Sequence, residues 1–401
     1  MTGELRTLLV VGNMSDEPPT GGALRFRALA WALASVSEVD VFDVYPTHRT
    51  FECVTECDRG CRLATLTHIG ADVPDPFFGY YCTRTAAALR DLVARRRPDM
   101  VIVSDIRLHR YLLAAEDAGA KRLVIDMHNA EGDMYEAMGE DRLLPGESLA
   151  EKVAGVRAIE RYVTSAAAAV SVVCASDAAS IRGHYDVEIV RVMPNTVSLD
   201  GITAPAAPRT NGEVSLLFTG VLSWPQNTIA ALTLAREIFP LLRADLPAAT
   251  LTIAGLNPTP ELYDARSAGV RIVADPPETR SLFPGAIFLA PLDLGGGGHF
   301  KILESFAYGA SVVTTPDGMA GIDAVAGQHY LEAQTPAEFV ARAREIVEHP
   351  AVDLDRRRAA FTLIRDHYSW ESTRTQLLEL HYSWESTRTQ LLELLDEIVT
   401  S

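Results

Sequence analysis

The sequence predicts an α/β protein of two Rossmann-like domains facing each other across a cleft, with a helix after the second. Three observations carry that prediction. Strand-like and helix-like segments alternate along the chain, the pattern that layers helices over parallel sheets. With 401 residues, the chain exceeds one ordinary domain and lets each of two bury its own core. A stretch without apolar periodicity, residues 199–212, interrupts the alternation and carries Pro205 and Pro208, the composition of a linker. The expected organisation is a first domain over 1–198, a linker over 199–213, a second domain over 214–366 and a terminal helix over 367–401.

The elements follow in order. Residues 8–11 (LLVV) read as a buried strand ended by Gly12, and residues 25–35 as a helix. Residues 39–44 are a second strand, and a helix from about Thr83 leads to a third at 100–103. Strands at 123–126, 169–173 and 190–195 complete the first half. In the second half, strands are expected at 214–218, 249–254, 270–273, 286–290 and 311–314, with helices at 229–242 and 301–308. Ligands of such sheets bind beyond the carboxyl ends of the strands.

The tail is unusual. Residues 367–380 (HYSWESTRTQLLEL) recur unchanged as residues 381–394. A perfect, isolated copy reads as a recent duplication rather than a solenoid array. Each copy looks helical, and fourteen residues return an apolar stripe to within about 40° of its phase while adding about 21 Å of helix. One copy is therefore expected to be surplus.

Composition narrows the function. The 48% hydrophobic and 22% charged content is that of a globular protein. Lys plus Arg is 36 against Asp plus Glu 53, a formal charge of −17. That balance argues against nucleic acid and against docking on anionic lipid, both of which need basic faces. The Arg95-Arg96-Arg97 run reads as a solvated helix end. No stretch approaches eighteen apolar residues without a charge, and no basic segment precedes an apolar run at the start. The expectation is a cytoplasmic protein with no signal peptide or transmembrane segment; its oligomeric state is open. Cys53, Cys57 and Cys61 lie at C-x3-C-x3-C spacing with His48 and His68 flanking, but the second couple of a zinc site is missing. Asp353-Leu354-Asp355 precedes an Arg run and reads as a helix N-terminus. No metal site is expected.

The chemistry concentrates at residues 289–304, LAPLDLGGGGHFKILE. A buried strand ends in four glycines and a helix opens within a few residues. Such a junction presents backbone N–H groups and a positive helix end, both suited to a diphosphate. Lys301 adds a full charge in the first turn, and Glu304 could hold ribose or sugar hydroxyls. Gly297 and Gly298 are the candidate N–H donors. Across the expected cleft, His128 ends a strand in IDMHN, and Gly21 and Gly22 let a ligand approach the backbone.

These segments resemble a known family. PLDLGGGGHFKILESFAYGASVVTTPDGMAGI is similar to the donor-site segment of glycosyltransferase family four, retaining enzymes of GT-B fold. FTGVLSWPQNTIAALTL resembles the opening of that family's second domain, including a subset marked by Trp224, Pro225 and Asn227. RVMPNTV, IDMHN and PPTGGALRFRAL resemble its hinge strand, its D-x-H segment and its N-terminal glycine loop. The resemblance implies a donor nucleotide-diphosphate sugar, UDP- or GDP-linked, as substrate rather than bound cofactor, and a small-molecule or glycan acceptor. It implies catalytic roles for His128, Lys301 and Glu304, and donor contacts from Gly21, Gly22, Gly220, Asn227, Gly297, Gly298, Lys301 and Glu304. Two departures stand out. Gly296 occupies the position of the family's first carboxylate, and residues 221–232 hold no base where many members place Arg and Lys. A catalytically weak sugar-nucleotide-binding protein and a sugar-nucleotide 2-epimerase are the alternatives on the same fold. A dehydrogenase is disfavoured, because VVGNMSDEPP replaces G-x-G-x-x-G after the first strand.

Overall fold

The computed structural model describes residues 5–14, 19–44, 66–77, 80–143, 148–207, 214–294 and 298–375. Two six-stranded sheets, every neighbour pair parallel, form two α/β domains. The first runs β2-β1-β3-β4-β5-β6, from β1 (Arg6–Val11), β2 (Glu38–Asp43), β3 (Met100–Ser104), β4 (Leu123–Asp126), β5 (Ala169–Val172) and β6 (Val190–Val192). The second runs β12-β11-β10-β7-β8-β9, from β7 (Ser215–Val221), β8 (Thr250–Leu256), β9 (Val270–Ala274), β10 (Ile287–Ala290), β11 (Ser311–Thr314) and β12 (Leu331–Glu332). Strand order changes direction between β1 and β3 in one sheet and between β7 and β10 in the other. Crevices open at the carboxyl ends of such switch points.

Local sequence explains the sheets. Leu8 to Val11 and Ile287 to Ala290 are buried along their length, as expected of parallel strands covered by helices on both faces. Phe218, Phe283 and Phe288 stack at 5.8–6.0 Å between β7, β10 and the loop before it. Each buried ring of this kind is worth about 1.5–3 kcal/mol.

Several element boundaries differ from the sequence reading, among them the end of β7, which runs on to Val221. The first helix begins at Gly21, not near residue 25, because Thr20 caps it by accepting from Ala23 N at 3.3 Å. Gly21 and Gly22 therefore form the first helical turn, where their low propensity hides the start. The helix after β7 begins at Pro225, a residue preorganised for the first helical position, and passes through one π turn over Leu234–Ile238 to Asp245. Strand β6 stops at Val192. Other readings hold: Arg95 and Arg96 are exposed in the last turn of helix Thr83–Arg96, and Asp353 lies in the first turn of helix Pro350–His367, bound to Arg357 Nε at 3.1 Å. Cys53, Cys57, Cys61 and His48 lie outside the described residues. Among the described residues no helix is long and apolar enough to cross a membrane, and no group of three or more His, Cys, Asp or Glu could hold a metal ion.

The first repeat copy is not one helix. Helix Pro350–His367 stops at the copy's first residue. The chain then turns back to the first domain before helix resumes over residues 370–375. Val197 N donates to Tyr368 O at 2.9 Å, and Trp370 N donates to Val197 O at 3.2 Å. Thr373 Oγ1 donates to Thr196 Oγ1 at 3.0 Å, and Trp370 packs on Trp31 at 5.6 Å. Residues 381–394 lie outside the described residues. Because the first copy supplies this crossover, deleting 381–394 is expected to change stability by no more than about 0.5 kcal/mol. Urea titration of the shortened chain checks this; a several-fold larger loss would mean that the second copy is packed too.

Candidate active site

One wall of the interdomain cleft is built by β7, β10 and helix Phe300–Ala307. After β10 the chain runs through Pro291 to Leu294; Gly297 lies outside the described residues. Gly298 resumes at φ 28°, and its carbonyl accepts from Asn195 Nδ2 of the first domain at 2.9 Å. Helix Phe300–Ala307 then places Lys301 in its first turn and Glu304 one turn on. The Lys301 ammonium donates to Asn227 Oδ1 and sits 5.0 Å over the Phe218 ring. Asn227 is itself fixed by donating to Val221 O, at the end of β7, at 2.9 Å. Gly220 leaves this spot open: a Cβ there would meet Asn227 Nδ2 at 2.9 Å and Lys301 Nζ at 3.3 Å.

Burial governs the charges of this wall. It pulls Lys301 down to about 7, with the Glu304 carboxylate opposing. It pushes Glu304 up to about 7, with the Lys301 charge opposing. Both groups are thus poised to change protonation when an anion enters. His299, just before the helix, is held down to about 3 by burial and by Lys301. Its Nε2 is buried with no partner among the described residues.

The other wall is the first domain. Arg25, on helix Gly21–Leu33, is buried and forked onto Asp126 at the end of β4: Nε donates to Oδ2 at 2.8 Å and Nη2 donates to Oδ1. Its Nη1 donates to Met193 O at 3.0 Å and Asn195 Oδ1 at 3.1 Å. A continuous polar chain thus joins Gly298 through Asn195 and Arg25 to Asp126. Ser104 Oγ donates to Asp126 Oδ2 at 2.5 Å and lies 3.3 Å from His128 Nε2. Since the serine proton is committed to Asp126, the histidine is the Nε2–H tautomer and its Nδ1 is an acceptor. Burial, then the Arg25 and Arg107 charges, lower the His128 pKa against the pull of Asp105 and Asp126, so the imidazole is neutral.

Asp105, after β3, has φ 99° and is buried. That backbone conformation is costly for a non-glycine residue. It is held by the Asp105 carboxylate accepting from Arg107 N at 2.9 Å and Nε at 2.7 Å.

The two walls enclose a cleft of about 710 Å³. Gly21, Gly22 and His128 line it from the first domain; Gly220, Asn227, Gly298, Lys301 and Glu304 line it from the second. At Gly21 the walls meet, since a Cβ there would lie 3.2 Å from the Phe300 ring. Arg25, Asn195 and His299 also line the cleft, and sequence reasoning gave them no role. His299 stands inside the glycine-lysine motif and was findable; Arg25 was not, because its partner is 101 residues away.

Comparison with known families bears on this cleft. Residues 213–349 match the family described as glycosyl transferases group 1, and residues 20–196 match the glycosyl transferase 4-like domain. The chain belongs to the glycosyltransferases. No curated protein sequence matches this glycosyltransferase. Among solved structures it is similar to sucrose-phosphate synthase from Thermosynechococcus elongatus, with TM-score 0.72 and 14% identity over 96% of this chain and 100% of that one. HepE from Anabaena, solved with UDP-glucose, gives TM-score 0.63 and 13% identity over 94% and 100% of the two chains. A UDP-forming trehalose-phosphate synthase from Burkholderia xenovorans gives 0.60 and 12% over 94% and 98%. At such identities the likeness carries the fold, which is GT-B.

Proposed function

We propose that this glycosyltransferase moves a sugar from a UDP- or GDP-linked donor to an acceptor hydroxyl, with retention of configuration and without a metal ion. The observation that carries the reading is the pairing of Lys301 and Glu304, beside the glycine loop, with a neutral His128 on the facing wall of one cleft. The UDP-glucose bound to HepE supports a uridine donor as the first to test.

The roles follow from charge. As the bond from the sugar's anomeric carbon to the diphosphate breaks, negative charge grows on the leaving oxygens. Lys301, the start of helix Phe300–Ala307 and the N–H groups of Gly298 and, outside the described residues, Gly297 are the groups assigned to receive it, and such preorganised donors are a major source of catalysis. The acceptor oxygen bonds to the same carbon, and its proton passes to the leaving diphosphate. Glu304 holds ribose hydroxyls. Asn227 keeps Lys301 in place, and Gly220 leaves room for the phosphates. Gly21 and Gly22 let the donor approach the first-domain backbone. His128 accepts a hydrogen bond from a donor-sugar hydroxyl through Nδ1. Retention itself is inferred from the resemblance of the donor segment to retaining enzymes.

Thermal-shift screening of UDP- and GDP-sugars, which stabilise only if they bind the folded state, identifies the donor. NMR of the glycoside formed then reads its anomeric configuration, and the rate is expected to be unchanged by excess EDTA. An inverted product would overturn the retention; activity lost to chelation and restored by magnesium or manganese would overturn the lysine-and-dipole account.

A further inference from the structure

The first-domain wall carries a carboxylate that the donor chemistry leaves unused. Glu131 opens helix Glu131–Met138 three residues after His128; it lines the cleft yet is only 7% exposed. The helix start does not employ it: Gly132 N donates to Glu160 Oε1 at 3.0 Å, and Ala130 N to Asp177 Oδ1 at 3.2 Å. Glu131 Oε1 accepts from Asn129 Nδ2 at 3.1 Å, and Oε2 has no hydrogen-bond partner among the described residues. That oxygen is not among the sealed, unpartnered polar atoms; it stays open to the cleft, where a ligand hydroxyl can reach it.

The arginines of this wall are committed elsewhere. Arg25 is forked onto Asp126, and Arg107 is bound to Asp105 while stacking on Tyr80 at 5.1 Å. Glu131 is thus the acid left over between two internally neutralised pairs. Burial, reinforced by Asp105 and opposed by Arg107, pushes its carboxyl up to about 7. In its ionised form, which dominates above pH 7, such a group accepts hydroxyl protons and repels an anion.

We propose that Glu131, with Asn129 beside it, is the acceptor subsite of the cleft, and that it takes an uncharged polyhydroxylated acceptor by binding its hydroxyls. The inference rests on the transfer reading above and adds the acceptor's chemical class. A phosphorylated acceptor end would face the leftover carboxylate, with both nearby arginines already neutralised.

The test uses the full chain with whichever UDP- or GDP-sugar calorimetry shows to bind. Release of nucleoside diphosphate is followed with glycerol, glucose and inositol, and with the monophosphate ester of each. At least one neutral polyol is expected to accelerate release more than its ester does. Glu131→Gln, which preserves shape, is expected to raise the KM for that polyol about tenfold. Donor affinity and melting temperature are expected to stay within twofold and within about 2 °C of wild type. Esters outperforming polyols, neither class accelerating release, or an unchanged KM in the variant would each overturn the proposal. A wild-type chain that binds no nucleotide sugar is a separate result, which removes the transfer reading and this inference with it.

Discussion

Lys301→Ala is expected to weaken binding of the nucleoside diphosphate and of the whole donor sugar alike, by about tenfold to a hundredfold. One charge-assisted contact is worth roughly 1.5–3 kcal/mol, and Lys301 lines the cleft where the diphosphate is assigned. The loss should depend on pH. In the free protein burial draws Lys301 down to about 7 and pushes Glu304 up to about 7. A diphosphate favours the charged lysine and the neutral acid, so binding takes up protons. Wild-type affinity should therefore be flat below pH 7 and fall as pH rises through it. Calorimetry in buffers of different ionisation enthalpy measures this uptake directly. In Lys301→Ala both the affinity and most of its pH slope should be lost. His128→Ala should differ: turnover falls, while bare nucleoside diphosphate binds almost normally, because the imidazole faces the sugar from the other domain. Equal nucleotide affinity in wild type and Lys301→Ala would sink the assignment of this wall to the diphosphate.

The division of labour explains what could be read without coordinates. Motifs that act within one strand-loop-helix unit were legible. Lys301 and Glu304 share a helical face by spacing alone, and Asn227 follows β7 by only a few residues. Strand positions were legible because parallel strands such as Leu8 to Val11 are apolar without interruption. Helix starts were less so: two glycines concealed the turn that Thr20 caps, and Pro225 opens a helix that the apolar pattern shows only from residue 229. Contacts that cross the sequence were not legible. Asn195 reaches Gly298 across 103 positions and Arg25 reaches Asn195 across 170. No local pattern distinguishes the buried Arg25 from a solvated one. The tail illustrates the same limit: an exact repeat cannot say which copy turns at Tyr368 and Ser369 to pair with Val197.

Arg25→Ala is expected to be the most destabilising single change in the cleft, costing about 3–5 kcal/mol at neutral pH. Removing one partner of a buried ion pair leaves the other charge uncompensated, and Asp126 would keep only Ser104 and Ser171, at 2.5 and 2.6 Å. The pH dependence gives the claim its sign. Burial alone raises the Asp126 pKa, but the charge and hydrogen bonds of Arg25, with His128 and Ser104, outweigh it and bring the group down to about 2. A carboxyl depressed on folding stabilises above its unfolded pKa of about 3.9, and that stabilisation is lost as pH falls from there toward 2. For the wild type this acid limb amounts to about 2.6 kcal/mol. Without Arg25, burial becomes the leading influence and the Asp126 pKa rises above its unfolded value. The dependence then inverts: the variant loses stability as pH rises and suffers least in acid. Urea midpoints at several pH values between 3 and 8 should show the gap between wild type and Arg25→Ala widening with pH. Arg25→Ala with Asp126→Ala should cost less than the two single changes summed, because the orphaned charge is gone. A gap independent of pH, or strictly additive losses, would mean that Arg25 matters for its packing rather than for the carboxylate it neutralises.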